Sequence, residues 1–201
     1  NGSKPRYGIG NFHTFTPATG VLTQPAQLVI QYDPSEVVGF DENRLRMYHW
    51  NDTRSDWDFI GGVLNTIAKT VTASVTQLGT YTLAPVMPAG VMTWTVTSAT
   101  PGGTLDFPTT TVSLVSAPLT NNDGTVVPAG TVVHVVSVDP GGQILSVDID
   151  PATPGVQIAT DANGQLHLVA QVPGAPVVVN VTAFTDLGTA VSDPSADIPL
   201  P

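Results

Sequence analysis

The chain has 201 residues, of which 41% are hydrophobic and 11% are charged, and its formal net charge is −10. This composition excludes a disordered chain and a coiled coil, and the 19 Gly and 18 Pro favour short strands joined by turns. All six basic residues lie in the first 69 positions, and no apolar run reaches the roughly 18 residues of a membrane span. We therefore expect no nucleic-acid partner and no membrane span.

Alternation of apolar and polar residues predicts strands in the first half of the chain. Residues 28–32 (LVIQY) are almost uniformly apolar, which is typical of a strand in the centre of a sandwich. Every second side chain is apolar in residues 44–50 (RLRMYHW) and 70–76 (TVTASVT), the pattern of half-buried antiparallel strands. Short helices are predicted only at residues 35–38 and 60–68.

Alternation continues in the second half, at residues 92–96, 165–172 and 177–183. The sequence D-A-N-G at 161–164 lies between two apolar stretches and predicts a β-hairpin. Residues 89–108 are expected to add a strand or a hairpin, whose position the pattern does not determine. Residues 193–201 are predicted to form an extended linker or a frayed end. The chain is therefore predicted to be all-β, with two tandem antiparallel β-sandwiches.

Charge is distributed unequally along the chain, and this places the domain boundary. Residues 1–85 contain six basic and seven acidic side chains, whereas residues 86–201 contain nine aspartates and no basic residue. Such a change in composition indicates two modules of different character. We predict one domain at 1–85 and a second at 86–201.

Several motifs of the first domain occur in a recognisable order. They are F-x-P-x-x-G-x-L-x-x-P at 15–25, D-E-N-R-L-R-M-Y-x-W at 41–50 and N-T-I-A-K-T-V-T-A-S-V at 65–75. This order resembles the β-sandwich module of ankyrins and netrin receptors, which also occurs in bacterial surface proteins. Relatives place strands before the first motif, but here few residues precede Phe12 and several are Gly or Pro. The resemblance therefore implies a sandwich that is incomplete at its N-terminal side.

The second domain carries a different set of motifs. They are T-V-S-L-V at 111–115, N-x-D-G-T-V-V-P-A-G-T at 121–131, T-D-A-N-G-Q-L at 160–166 and V-V-V-N-V-T-A at 177–183. This set resembles bacterial Ig-like domains of the invasin and intimin type. The resemblance implies an Ig-like β-sandwich and a place in a cell-surface stalk.

Three aspartates of the second domain, Asp148, Asp150 and Asp161, are the candidate metal ligands. Oxygen donors on irregular loops are what Ca²⁺ prefers, and no basic residue of this domain can neutralise them. The spacing of an EF-hand is absent, and D-A-N-G is also a common turn sequence. Calcium is the one cofactor that the sequence suggests.

Trp50 and Trp57 are the candidate glycan-binding residues. With Tyr48 and Phe59 they concentrate the aromatic side chains of the first domain, and such a group can stack on sugar rings. The alternative is that these side chains cap one end of a sandwich core.

The sequence contains no catalytic motif: G-x-S-x-G, H-E-x-x-H and the phosphate loop are all absent. We predict that the chain is not an enzyme. The acidic, cysteine-free composition resembles that of bacterial extracellular proteins. Together with the two family resemblances, it implies a non-catalytic structural or interaction protein, extracellular or on the cell surface, in a bacterial surface or filamentous assembly. The alternative is a carbohydrate-binding accessory region of a secreted enzyme.

The incomplete first sandwich also predicts a partner. A missing strand exposes a sheet edge, which another protein chain or a second copy of this chain can complete by strand addition. The alternative is that residues 4–15 supply the missing strand.

Overall fold

The computed structural model describes residues 9–17, 20–38, 41–185, 188 and 190–201. It confirms the all-β class, because the helices within these ranges are only two short 3-10 helices, Pro34–Val37 and Glu42–Arg44. No helix of the described ranges is long and apolar enough to cross a membrane. The chain divides into two compact units, Asn1–Val86 and Met87–Pro201.

The described residues of the first unit form seven strands: β1 (Ile9–Phe15), β2 (Val21–Gln31), β3 (Leu45–Asn51), β4 (Asp56–Gly61), β5 (Val63–Asn65), β6 (Thr70–Gln77) and β7 (Gly79–Pro85). They form a four-stranded sheet of order β1-β7-β3-β4 and a three-stranded sheet of order β2-β6-β5. Both sheets are antiparallel throughout.

The alternation in β3 and β6 directs their apolar side chains into one core. Leu45 and Met47 of β3 and Val71 of β6 are fully buried, and they belong to one hydrophobic cluster with Ile30 of β2 and Leu83 of β7. Because both sheets contribute to this cluster, the unit agrees with a β-sandwich.

The described part of the N-terminal segment supplies strand β1, so it contributes a strand to the sandwich that the resemblance implied to be incomplete on this side. In β1, Ile9 lies opposite Leu83 and Phe15 lies opposite Gly79. Ile9 is buried in the core, and this long-range contact outweighs the weak local preference of a glycine-rich segment. The alternative that residues 4–15 form the strand holds for residues 9–15, and residues 1–8 lie outside the described residues.

The prediction that residues 28–32 form a central strand is wrong, because among the described strands β2 pairs only with β6 and lies at the edge of its sheet. Ile30 is buried, but Val29 is 55% exposed. Buried and exposed side chains therefore alternate along this stretch, although the apolar Val29 conceals this alternation in the sequence. Pro25 suits an edge strand because proline has no backbone N–H to donate.

In the described part of the second unit there are twelve strands: β8 (Pro88–Ala89), β9 (Val91–Met92), β10 (Trp94–Gly103), β11 (Pro108–Ser116), β12 (Thr120–Asn121), β13 (Val132–Asp139), β14 (Gln143–Ile144), β15 (Val156–Ala159), β16 (His167–Pro173), β17 (Val178–Thr185), β18 (Val191–Ser192) and β19 (Ile198–Pro199). One sheet has the order β10-β11-β16-β14 and another the order β15-β13-β17-β18-β9, with β19 also pairing with β17. β8 pairs with β12, and the β9–β18 pair is parallel.

The strands β13, β16 and β17 build the core of the second unit. Leu168 of β16, Val133 and Val135 of β13 and Val179 of β17 are fully buried in one cluster. As in the first unit, two sheets share one core, which agrees with a β-sandwich. Residues 89–108, which the pattern did not place, contribute to β8, β9 and β10.

The prediction of a β-hairpin around residues 161–164 is wrong. β15 pairs with β13, whereas β16 pairs with β11 and β14, so the turn connects two different sheets. The Asp161 carboxylate accepts hydrogen bonds from the N–H groups of Asn163 (2.8 Å) and Gln165 (2.9 Å). This local bonding closes the turn without requiring the flanking strands to pair.

Two other local predictions are also wrong. Residues 193–201 are not a frayed end, because β19 pairs with β17 and Ile198 is buried in the core. Residues 60–68 are not helical but contain the end of β4, all of β5 and a turn that the Asn65 side chain closes by accepting two backbone N–H groups. The short helix predicted at 35–38 is present as the 3-10 helix Pro34–Val37.

Candidate functional site

The outer face of the β3–β4 pair carries the two tryptophans that the sequence singled out. Trp50 lies opposite Trp57 and Tyr48 lies opposite Phe59 in the register of these strands. The Trp50 and Trp57 rings meet edge to face at 5.4 Å between centroids, and the Tyr48 and Phe59 rings do so at 5.5 Å. The structure therefore brings the predicted aromatic residues together on one face of the sheet.

Phe12 of β1 joins this group and was missed by the sequence reasoning. Its ring stacks on Trp57 at 5.7 Å with an interplanar angle of 17°, and its side chain is 59% exposed. The signal that could have found it is the alternation of N-F-H-T-F in β1, which puts Phe12 and Thr14 on the same face. We name Phe12, Tyr48, Trp50, Trp57 and Phe59 the aromatic face.

The polar groups beside the aromatic face bond mainly to one another. The Trp50 indole N–H donates to Asp52 at 2.8 Å, and the Asn51 amide donates to Asp58 at 3.0 Å. Asp58 also forms an ion pair with Arg54. A ligand at the aromatic face would meet the exposed ring surfaces and the Asp52 carboxylate beside Trp50. Asn51 and Asp58 alternate with Trp50 and Trp57 and therefore lie on the opposite face of the sheet.

The strongest electrostatic arrangement of the first unit is centred on Glu42. Its Oε1 atom accepts hydrogen bonds from the hydroxyl of Tyr32 and from the Lys69 ammonium, the latter at 2.8 Å. The bonds from Lys69 and Tyr32 hold the pKa of Glu42 below its ordinary value. Burial, followed by the bond to Glu42 and its charge, raises the pKa of Tyr32 to about 12. This group connects the end of β2, a 3-10 helix and the turn before β6.

The three candidate calcium ligands of the second unit each bond to neighbouring backbone. Asp148 accepts from the N–H groups of Asp150 and Gln157, at 3.0 and 3.1 Å. Asp150 accepts from Ala152 N–H at 3.3 Å and from the Thr153 hydroxyl at 2.7 Å.

Asp161 closes its own turn, and bonds from Gln165 N–H, His167 and Asn163 N–H hold its pKa below the ordinary value. Within the described ranges no group of three or more His, Asp or Glu side chains could hold a metal ion. The structure therefore does not bring Asp148, Asp150 and Asp161 into one such group. Calcium binding stays a prediction.

A buried polar pair in the second unit was not anticipated. The Gln157 side chain is fully buried, and its Nε2 donates to His134 Nδ1 (3.1 Å) and to the Pro154 carbonyl (3.2 Å). The His134 ring stacks on Phe184 at 5.1 Å. The pair fixes the position of β15 beside β13 and offers no open reaction site.

The edge of β2 is the candidate docking site for another strand. Tyr32 N–H donates to Lys69 O at 3.0 Å, which makes this a hydrogen-bonded pair of the antiparallel ladder. Hydrogen-bonded pairs alternate along such a ladder, so Ile30 and Leu28 face β6 while the backbone groups of Val29, Gln27 and Gln31 point away from it. No described strand lies on that outer side of β2.

No protein-family profile matches the chain, and no curated protein or solved structure matches it. The resemblances to the ankyrin and netrin-receptor module and to bacterial Ig-like domains therefore stay predictions from the sequence motifs.

Proposed function

We propose that the chain is a non-catalytic structural and interaction protein of a bacterial cell-surface or filamentous assembly, extracellular or at the cell surface. Its two units are two tandem antiparallel β-sandwiches, the second of them Ig-like. One observation supports the proposal: Val86 and Met87, the residues on either side of the boundary, are each hydrogen-bonded within their own unit.

The hydrogen bonds at the boundary make this observation concrete. Val86 N–H donates to Arg44 O at 2.8 Å, and the Arg44 guanidinium donates back to Val86 O at 2.9 Å. The next residue, Met87, accepts from Asn122 N–H at 2.9 Å within the second unit. Each unit therefore forms hydrogen bonds to the residue on its own side of the boundary.

Binding of another chain is assigned to the edge of β2. Residues 26–31 pair regularly with β6, and their outward backbone groups can accept an added strand. Val29 lies at the centre of this edge, with its N–H pointing away from β6.

Hydrogen exchange on the full chain, over a range of chain concentrations, tests this assignment with the chain itself as the probe. We expect protection of residues 26–31 to rise with concentration. Val29→Pro removes the outward N–H without breaking a bond to β6, so it should abolish the increase, whereas the control Val29→Thr keeps the N–H and should retain it. Equal protection at all concentrations would contradict self-association through this edge.

The aromatic face favours a second candidate function, a carbohydrate-binding accessory region of a secreted enzyme. Three exposed or half-buried rings, Phe12, Trp50 and Trp57, lie together, and ring faces of this kind stack on sugars.

Pull-down on insoluble polysaccharides decides between the two functions. Binding that is lost in Trp50→Ala or Trp57→Ala, and kept in the exposed first-unit control Val63→Ala, would favour carbohydrate recognition over assembly. No binding to any polysaccharide tested would remove the second candidate.

A further inference from the structure

The sheet β15-β13-β17-β18-β9 exposes a row of apolar side chains on its outer face. Phe184 points away from the core because it alternates with the buried Ala183 of β17. It lies opposite Val191 on β18, which in turn lies beside Val91 on β9. The exposed fractions of Phe184, Val191 and Val91 are 42%, 45% and 66%. Neighbouring exposed apolar side chains, unlike isolated ones, are typical of interaction surfaces, and we name these three the apolar row.

The other end of the same face carries carboxylates. Asp139 on β13 lies opposite Asn180 on β17. The neighbouring Val179 lies opposite Ile198 on β19, so Asp197 follows beside Asn180 on its other side. Val179 and Ile198 are buried in the core. Asp139 and Asp197 are exposed and therefore lie on the outer face, four residues of β17 or about 13 Å from the apolar row.

Asp193 adds a third carboxylate. It directly follows β18, which runs antiparallel to β17 and therefore leads from the apolar row towards the other two aspartates. Asp193 accepts hydrogen bonds from the N–H (2.9 Å) and the hydroxyl (2.7 Å) of Ser195, and Asp139 accepts from the Ser137 hydroxyl at 3.0 Å. These donors are neutral, and residues 87–201 contain no lysine or arginine to balance the charge. We name Asp139, Asp193 and Asp197 the acidic end.

Charge selects the occupant of this face. The three carboxylates would repel a nucleic acid or an anionic lipid surface. In a second copy, the described basic side chains already bond within the first unit: Arg44 to Val86 O, Arg46 to Asn43 O, Arg54 to Asp58 and Lys69 to Glu42. Among the described residues no group of three acidic or histidine side chains could hold a metal ion. A different protein, with lysine or arginine beside apolar side chains, satisfies both ends of the face.

We propose that the apolar row and the acidic end together bind a basic amphipathic segment of another protein. In an extended segment that lies along β17, apolar side chains cover the apolar row, and lysine or arginine side chains four residues further on reach the acidic end. The proposal goes beyond the proposed function because it uses a face of the second unit and not the edge of β2. It would stand if that edge bound nothing.

A synthetic peptide supplies the probe. It carries phenylalanine and valine at one end, lysines four residues away and threonines between them, and fluorescence anisotropy measures its binding to the full chain. We expect saturable binding that weakens as salt rises from about 50 to about 500 mM, because salt screens the ion pairs. A control peptide with glutamates in place of the lysines should bind at least tenfold more weakly. Equal binding of the two peptides, or no binding of the lysine peptide at about 1 mM chain, would overturn the proposal.

The acidic end is tested by neutralising two of its charges. Asp139→Asn with Asp197→Asn should weaken binding of the lysine peptide at least tenfold. The matched control Asp106→Asn with Asp150→Asn makes the same change in net charge at two exposed positions elsewhere in the second unit, and it should keep the affinity within about twofold. Equal losses in variant and control would show attraction to the net charge alone and would overturn the proposal.

The apolar row is tested in the same way. Val91→Thr with Val191→Thr should also weaken binding at least tenfold, whereas Leu105→Thr with Val147→Thr removes exposed apolar surface elsewhere and should not. Because the two face variants alter different strands, one remains decisive if the other fails to fold. Unchanged peptide binding in a folded face variant would overturn the proposal. Loss of self-association in sedimentation of the face variants would overturn it in favour of a second copy.

Discussion

Glu42 shows how one carboxylate can hold several elements of a small β unit in place. A single oxygen accepts from Tyr32 at the end of β2 and from Lys69 in the turn before β6. Lys69 has a left-handed backbone conformation (φ +57°), and Tyr32 N–H donates to its carbonyl. The side-chain bonds to Glu42 therefore help keep this turn in a conformation that lysine rarely adopts.

Substitution Glu42→Gln should lower the thermal stability of the first unit and flatten its dependence on acid pH. The folded state holds the pKa of Glu42 below the ordinary 4.5, so its contribution is present above that value and is lost as pH falls through the lowered pKa. Thermal melts between about pH 3 and pH 6 measure this. The control is Glu36→Gln, and an equal pH dependence in wild type and Glu42→Gln would contradict the account.

Tyr32 has the opposite effect on the pH dependence of stability, because its contribution is lost as the pH rises into the alkaline range. Its pKa of about 12 in the folded state exceeds the ordinary 10.0, so its contribution to stability is present below pH 10 and is lost as pH rises towards 12. The difference between ultraviolet absorbance titrations of wild type and Tyr32→Phe isolates this phenol. We expect the difference curve to have its midpoint near pH 12, and a midpoint near 10 would contradict the burial of this phenol and its bond to Glu42.

The residues of the aromatic face show what sequence can and cannot predict at a site. Trp50 and Trp57 are close in sequence and lie on adjacent strands, so their proximity follows from local alternation. Phe12 reaches Trp57 only through the order β1-β7-β3-β4, which depends on long-range packing. Asp161 is the converse case: its turn was recognised correctly, but turn chemistry does not determine which strands pair across it.

At the scale of elements, local alternation predicted where strands occur far better than it predicted which strands pair with each other. β3, β6 and β16 follow the expected alternation, with Leu45, Val71 and Leu168 fully buried. The edge position of β2 and the return of β19 onto β17 were not predictable, because partners in a sheet are chosen by contacts distant in sequence.

The position of a strand within its sheet should determine how fast its backbone amides exchange their hydrogens. In the first unit β7 lies between β1 and β3, and β6 lies between β2 and β5. We expect the slowest amides in β3, β6 and β7, which pair with a strand on both sides, and faster exchange in β1 and β4. Exchange mass spectrometry of dilute monomeric chain measures this, and slower exchange in β4 than in β7 would contradict the strand order.

At the scale of the whole molecule, the two hydrophobic clusters are distinct and each lies within one unit. Leu45 and Leu168 are both fully buried, one in each cluster. Truncating a buried leucine to alanine typically costs about 2–5 kcal/mol.

Leu45→Ala and Leu168→Ala should therefore destabilise different units. Calorimetry of the full chain, with hydrogen exchange to assign each transition, should show Leu45→Ala lowering the transition of the first unit and Leu168→Ala that of the second. Equal shifts of one common transition in both variants would contradict two separate cores.

We propose above all that this chain assembles with other protein chains, and with copies of itself in particular. Sedimentation velocity of the unmodified full chain, over about a hundredfold range of concentration and at low and high salt, tests it most directly. We expect species larger than the monomer to appear as concentration rises, and at lower concentration in high salt. A single monomeric boundary under all these conditions would contradict the claim.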